Sequence, residues 1–309
     1  MLPAVYIPNF NGAARVGPVL RALGEQTRPI KVVLVDNGSD DDSVALARRE
    51  LPELKVVELG ENLGFGRAIN RAVAEVPAEA VILLNNDAVP EPRFVEALLD
   101  GLGEGVDSVA GVLLQERSPE LIDSAGVVAD ATLMGFDYLH GEPAEGAATA
   151  APPLGPTGGA ALYRREAFDA VGGFDERIFL YYEDLDLALR LAARGGCCAL
   201  APEARALHAY SASLGAASAD KYGWTGWSRG YMLRRYRVMR SPRPALRALA
   251  CEGALCAGQL LRDRTTAGLT GRLRGWRDGA GLEPRAADGA PLLDLSAREA
   301  LARRRRRRG

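Results

Sequence analysis

The sequence of 309 residues is 48% hydrophobic and 25% charged, an ordinary soluble globular composition, with room for one large domain and an appendage or two modest domains. No window of about eighteen uncharged apolar residues occurs, which excludes a membrane-spanning helix; the nearest stretch, ALRALACEGALCAGQLL, is broken by Arg247 and Glu252. The net charge of −2 hides a split, with 17 Lys and Arg against 33 Asp and Glu in residues 1–220 but 21 against 7 in residues 221–309. Such asymmetry points to an acidic body and a basic tail that meets an anionic surface.

The opening MLPAVYIPNFNG has neither a basic n-region nor a long apolar core, so no secretory signal is expected. AVYI then reads as a strand and ARVGPVLRALGEQ as a helix, followed by the β-branched strand KVVLVD and the turn NGSDDDS. SVALARREL is a second helix, KVVEL a third strand and GRAINRAVAEV a third helix. VILLNND is the fourth strand, and PEPRFVEALLDGL a helix expected to carry its prolines in the first turn. Apolar strands separated by helices predict an α/β fold with a mostly parallel sheet covered on both faces. Ligands in such sheets bind beyond the carboxyl ends of the strands. That rule gathers residues 8–11, 36–40, 62–66 and 85–87 onto one candidate rim.

After GVLLQ, residues 116–157 are rich in Gly, Ala and Pro and are expected to form a loop-rich insertion that is functional or mobile. The clearest helix is FLYYEDLDLALRLAARGG, with Leu185, Ala188, Leu189 and Ala192 at helical spacing. Glu183, Asp184 and Asp186 crowd its first turn, Arg190 and Arg194 its last, and Gly195 and Gly196 end it. The spacing divides the chain into a domain over residues 1–215 and a basic helical region over residues 216–309, closing on six arginines, residues 303–308. Cys197, Cys198, Cys251 and Cys256 have no zinc spacing, so buried free thiols in a reducing cytoplasm are expected.

The rim carries the chemistry. NLGFGRAIN matches a dinucleotide-binding G-x-G-x-x-G only partly, because Ile69 replaces the last glycine and residues 61–63 separate strand from glycine. Asp36, delivered into an Asn-Gly turn, either reads the ring N–H of a pyrimidine base or only builds the turn, with Ser43 capping the next helix. Asn85, Asn86 and Asp87 either satisfy backbone groups in a turn or place a hard cation that shares its shell with phosphate oxygens. Acidic residues at the start of the EDLD helix are stabilised by the helix dipole, yet three carboxylates in four positions repel. That crowding, or partial burial, is expected to raise at least one pKa toward the range of a general base.

Taken in order, IPNFNG, VVLVDNGSDDDS, NLGFGRAIN, VILLNNDAVP, TGGAALYRREAFDAVGGFDERIFLYYEDLDLALR and APEARALH resemble a family 2 glycosyltransferase of the GT-A fold, the group containing many bacterial rhamnosyltransferases. The resemblance implies a Rossmann-like catalytic domain, with the basic region as a helical appendage. It implies that Pro8, Asn9 and Asp36 contact the nucleotide base, with Arg67 and Asn70 nearby and Gly64 in the same nucleotide-sugar site. Asn85, Asn86 and Asp87 would be the counterpart of the family's Asp-x-Asp motif, with Asp87 holding the metal and the ribose–diphosphate region. Asn85 departs from that motif as rhamnosyltransferase-like members do, which leaves the metal requirement open.

Gly158 and Gly159 would line the sugar side of the pocket. Asp184 would be the catalytic base, with Glu183 the second choice, and His208 an additional metal ligand. The implied cofactor is a divalent cation, Mg²⁺ or Mn²⁺. The implied donor is a dTDP- or UDP-sugar, with dTDP-rhamnose first and galactofuranose, glucose and N-acetylglucosamine open. The implied acceptor is a glycan or lipid-linked glycan in polysaccharide and cell-envelope biosynthesis. One displacement would invert the anomeric centre, with residues 116–157 as an acceptor-side lid.

The basic third reads either as a solvated appendage with a disordered polyarginine end, or as a contact with the anionic cytoplasmic leaflet of the plasma membrane. Nucleic acid is not expected, because no basic face interleaved with aromatics supports it. The alternative function is a non-catalytic nucleotide-sugar-binding or assembly protein of the same fold, an idea that Asn85 keeps alive.

Overall fold

The computed structural model describes residues 2–209 and 218–306. The chain begins β1 (Ala4–Asn9), α1 (Val16–Gly24), β2 (Lys31–Asp36), α2 (Ser43–Glu50), β3 (Lys55–Glu58), α3 (Phe65–Glu75) and β4 (Ala80–Leu84). Strand periodicity sorts each strand's side chains onto two faces. Val5, Ile7, Val32, Leu34, Ile82 and Leu84 pack on one face with Val16, Val19, Leu20 and Leu23 of α1. Ala4, Tyr6, Val33, Val35, Val81 and Leu83 pack on the other with Ile69, Ala72 and Val73 of α3. Both faces are therefore dry, and each fully buried Val, Leu or Ile contributes about 1.5–3 kcal/mol of transfer free energy. β1 pairs in parallel with β2 and β4, and β2 with β3, so Asn9 stands opposite Asp36 and Asp36 opposite Glu58. The expected rim is thereby assembled.

The chain continues with β5 (Ala88–Pro90), α4 (Phe94–Asp100), β6 (Val106–Gln115), β7 (Ser118–Ser124), β8 (Val127–Ala129), β9 (Gly135–Asp137), β10 (Ala160–Arg164), α5 (Arg165–Ala170), α6 (Glu183–Ala192) and β11 (Cys197–His208). Among the described residues the main sheet runs β3-β2-β1-β4-β10-β6-β11-β5, with β7 on β6. β10 is antiparallel to both its neighbours, and β5 is antiparallel to β11.

Three expectations need correction. Pro90 lies in β5 and Pro92 precedes α4, which starts only at Phe94; a proline is tolerated in β5 because that strand is the sheet edge. The stretch expected to be loop-rich holds β7, β8 and β9, and β8 with β9 forms a small separate sheet. Of the cysteines, Cys251 is buried, Cys197 is exposed and Cys198 and Cys256 are half-buried, all as free thiols.

The basic region folds into α7 (Ala219–Arg235), α8 (Pro242–Asp263), α9 (Ala267–Asp278) and α10 (Ala297–Arg306). Helices α7 and α9 touch backbone to backbone: a Cβ on Gly230 would collide with the Arg272 carbonyl, and one on Gly275 with that of Trp227. Tyr231, Met232 and Tyr236 bury against Leu185 and Leu189 of α6. Asp186 of α6 is fully buried, 2.8 Å from Arg190, 2.6 Å from Arg285 and 2.9 Å from the Tyr236 hydroxyl. Leaving any of these charges unpaired would be costly, which ties the appendage to α6 in one register. The polyarginine end is not disordered throughout, since residues 303–306 continue α10. Arg307 and Arg308 lie outside the described residues. No described helix is long and apolar enough to cross a membrane.

Candidate active site

A cleft of about 710 Å³ opens at the carboxyl ends of β1 and β4 and extends beneath the appendage. Its first half is lined by Pro8, Asn9, Asn37, Asn62, Gly64 and Phe65. Asn37 stitches two loops together: its Nδ2 donates to Asn62 Oδ1 (3.0 Å) and its Oδ1 accepts from the Leu63 amide (2.8 Å). Gly64 has a φ of +80° and starts α3, and a Cβ there would collide with the Phe179 carbonyl. Only glycine allows that backbone conformation and that approach together. Gly158 and Gly159 line the cleft as well; Cβ atoms on them would sit 2.7 Å from the Phe65 ring and 2.9 Å from Asn85 Nδ2.

Four expected nucleotide contacts are placed differently. Asn9 borders the cleft, but its amide is committed internally, donating to Ser43 Oγ (2.9 Å) and Asp36 Oδ1 (3.1 Å) and accepting from Asn86 Nδ2 (2.9 Å). Asp36 lies behind the cleft, 5% exposed, and its second oxygen accepts from the Ser39 amide. Arg67 points along the outer side of α3 toward Glu176, at 3.7 Å. Asn70 spends its amide on both backbone groups of Phe174. The parallel register explains the first two, because side chains paired at strand ends satisfy one another before they reach a ligand.

Sheet topology unites Asp87 with a histidine 121 positions later. β5 and β11 pair antiparallel with His208 opposite Ala88, which sets His208 Nε2 3.3 Å from Asp87 Oδ1 and 3.4 Å from Asn85 Nδ2. On the far side of the ring, His208 Nδ1 donates to Asp123 Oδ2 at 2.7 Å. A carboxylate only accepts, so this bond fixes the proton on Nδ1 and aims Nε2 at Asp87. Asp123 also engages His140, whose Nδ1 is 2.7 Å from the Asp123 carbonyl and 3.5 Å from Oδ1. Burial alone would depress the His208 pKa, but hydrogen bonds to Asp123 and Asp87 outweigh it and raise the pKa to about 9. Burial pushes Asp123 up, yet its two histidine partners hold it well below the usual carboxylate range.

Asp123 and His140 were not legible as site residues, since a lone acid in LIDSAG and a lone histidine in LHGEP carry no spacing signal. Among the described residues no cluster of three or more His, Cys, Asp or Glu can enclose a metal. Asp87 Oδ1 and His208 Nε2 nevertheless converge, and once Nε2 gives up the proton it shares with Asp87 this pair fits a hard cation whose remaining ligands are phosphate and water.

Tyr181 and Tyr182 also line the cleft and have φ of +67° and +72°, an unfavourable conformation for aromatic residues that sets the start of α6. The three acids of that turn meet three fates. Asp186 is ion-paired, as described above. Glu183 is 7% exposed, with a buried Oε2 that has no hydrogen-bond partner. Burial first, and the charge of Asp184 second, raise its pKa well above the ordinary value. Asp184 lines the cleft with one oxygen accepting from the Leu185 amide (2.7 Å) and the other 3.5 Å from Thr157 Oγ1. The raised pKa that crowding predicted therefore belongs to Glu183.

Glu183 thus holds its proton in the folded state at pH values where the unfolded chain has released it, so its contribution to stability falls as pH rises above about 4.5. Glu183→Gln mimics the protonated acid. It is expected to keep turnover within a few-fold of wild type and to gain stability relative to wild type as pH rises from 4 to 8, measured by urea midpoints across that range.

A strand rim, the Asp87–His208 pair and the Asp184 carboxylate meet in one cleft of a mixed α/β domain, an arrangement that suits a glycosyltransferase of the GT-A fold. The family model described as Glycosyl transferase family 2 matches residues 4–172, and the chain belongs to that family. It is 33% identical over 218 residues to the N-acetylglucosaminyl-diphospho-decaprenol L-rhamnosyltransferase of Mycobacterium tuberculosis, covering 61% of this chain and 69% of that one. Similarity to the succinoglycan biosynthesis protein ExoA of Rhizobium meliloti is 32% over 200 residues, 62% of this chain and 58% of that one. Among solved structures, the mannosyltransferase PcManGT of Pyrobaculum calidifontis, in complex with GDP-Man and Mn²⁺, superposes with a TM-score of 0.53 at 22% identity, covering 90% of this chain and 75% of that one.

Proposed function

We propose that the protein is an inverting rhamnosyltransferase that moves rhamnose from dTDP-rhamnose to a hydroxyl of a lipid-linked glycan. The observation that supports the reaction type is that Asp184 lines the same cleft as the Asp87–His208 pair. The rhamnosyltransferase relative supports the choice of sugar, and its diphospho-decaprenol acceptor the choice of acceptor class.

In this reading Pro8 and Asn37 border the base, while Asn9 and Asp36 hold that border rigid. Asn85 and Asn86 supply neutral polar contacts to the ribose–diphosphate, and Gly158 and Gly159 leave room for the sugar. Asp87 and His208 would hold a divalent cation, Mg²⁺ or Mn²⁺, which when bound neutralises charge growing on the departing diphosphate. Asp184 takes the proton from the acceptor hydroxyl as its oxygen attacks the anomeric carbon from the face opposite the leaving group. The new glycosidic bond forms as the bond to the diphosphate breaks, and the configuration inverts. Tyr181, Tyr182, Phe179 and the appendage wall limit water at that carbon, which suppresses donor hydrolysis.

The test is product formation from a panel of dTDP-, UDP- and GDP-sugars with an N-acetylglucosaminyl-diphospholipid and each cation. Turnover is expected to be highest with dTDP-rhamnose; preference for another sugar would overturn the donor assignment, and stabilisation by NAD alone the whole reading.

A further inference from the structure

Helix α8 is 22 residues long, about 33 Å, and its outward face is apolar. Leu246, Leu249, Leu260 and Leu261 are 69%, 60%, 52% and 81% exposed. Ala250, Gly253, Ala254 and Ala257 are also exposed between them. Positions 246, 250, 253, 257 and 260 follow helical spacing, so this is one stripe rather than scattered residues. Isolated surface leucines need no explanation, whereas a continuous apolar stripe marks a contact.

Between Arg247 and Arg262 the sole charge on α8 is Glu252, which is buried against Arg229 and Arg272 at 2.6 Å each. The ends of the stripe are cationic: Arg240 and Arg243 are exposed before and at its start, Arg262 and Arg264 at its finish. Asp263 is the exposed acid there, and it accepts a hydrogen bond from Tyr222. Neighbouring α9 adds exposed Leu269 and Leu273, with Arg274 and Arg277 in solvent.

We propose that α8 lies in the plane of an anionic lipid leaflet, with its leucines among the acyl chains and its arginines on the headgroups. This is the pattern of an interfacial helix, with apolar area and basic charge acting together. A second copy of the chain fits less well, because pairing two such stripes in either direction sets arginine ends against arginine ends. The inner face of the same helix bears on catalysis: Glu252, Leu255 and Gln259 line the cleft. One helix thickness, about 10 Å, then separates the lipid surface from the catalytic cleft, within reach of an acceptor head that stays attached to its lipid. The proposal rests on the lipid-linked acceptor reading and adds the surface that delivers it.

The experiment is co-sedimentation of the whole chain with phosphatidylglycerol–phosphatidylcholine vesicles and with pure phosphatidylcholine vesicles, at low and high salt. The chain is expected to bind the anionic vesicles, more weakly at high salt. The variant Leu246→Ser/Leu249→Ser/Leu260→Ser/Leu261→Ser, with every arginine kept, is expected to bind them at least about tenfold more weakly. Equal binding of variant and wild type, or no binding by wild type, would overturn the proposal. So would a wild-type dimer that the variant converts to monomers while vesicle binding is absent. Donor-induced thermal stabilisation, and turnover with a detergent-soluble acceptor, are expected to be the same in both proteins. Loss of those readouts in wild type would count against the enzyme reading, not against the docking face.

Discussion

Asp184→Asn is expected to leave the fold and donor binding intact while lowering kcat by about 10²–10⁴-fold, the usual contribution of a positioned base. That loss corresponds to roughly 3–5 kcal/mol of barrier. The three acids at the start of α6 are in different states. Asp186 cannot leave its ion pairs with Arg190 and Arg285. Burial, and then the charge of Asp184, raise the Glu183 pKa well above the ordinary carboxylate value, which disfavours the charged form that a base needs. Asp184 is only half-buried and lines the cleft, with one oxygen accepting from the Leu185 amide. Because asparagine preserves shape and the Leu185 hydrogen bond, KM for the donor should stay within a few-fold and kcat should carry the loss. Near-normal turnover by this variant would remove Asp184 from the mechanism.

Asp87→Ala is expected to abolish the extra thermal stabilisation that Mn²⁺ gives the donor-bound protein, and to lower kcat/KM on the order of 10³-fold, as removal of several kcal/mol of charge stabilisation implies. Asp123→Asn, which touches the pair only through His208, is expected to lose about 10–100-fold, the usual cost of removing a carboxylate that orients a metal-binding histidine. The graded order distinguishes a ligand from a positioning residue. Stabilisation by donor and Mn²⁺ that is unchanged in Asp87→Ala would show that the cation sits elsewhere.

The sequence carried the fold where periodicity was strong. Apolar runs such as KVVLVD and VILLN could only be strands buried on both faces, and the rim at their ends followed from parallel topology. Strands that depend on partners far along the chain left weaker marks. β11 contains Pro202 and a register shift between Leu200 and Arg205, and β5 is three residues long with Pro90 inside it, so neither resembles a regular strand. Their pairing is nonetheless what brings His208 to Asp87.

The candidate site was legible in its acids and glycines, because Asp87, Asp184, Gly64, Gly158 and Gly159 all border the cleft. Less legible were the side chains that engage one another. Asn9 and Asp36 form a hydrogen-bonded support, and Asn70 clamps the backbone of Phe174, a contact across 104 residues that no local pattern encodes. The same holds for the appendage. Its positive charge was evident, but the stripe on α8 emerges only once Glu252 is known to turn inward toward Arg229 and Arg272.

The most direct test of the central claim is the anomeric configuration of the sugar in the product, read by NMR after turnover of dTDP-rhamnose with the lipid-linked acceptor. A single displacement with Asp184 as base predicts a product of configuration opposite to that of the donor. Retention of the donor configuration would contradict the account.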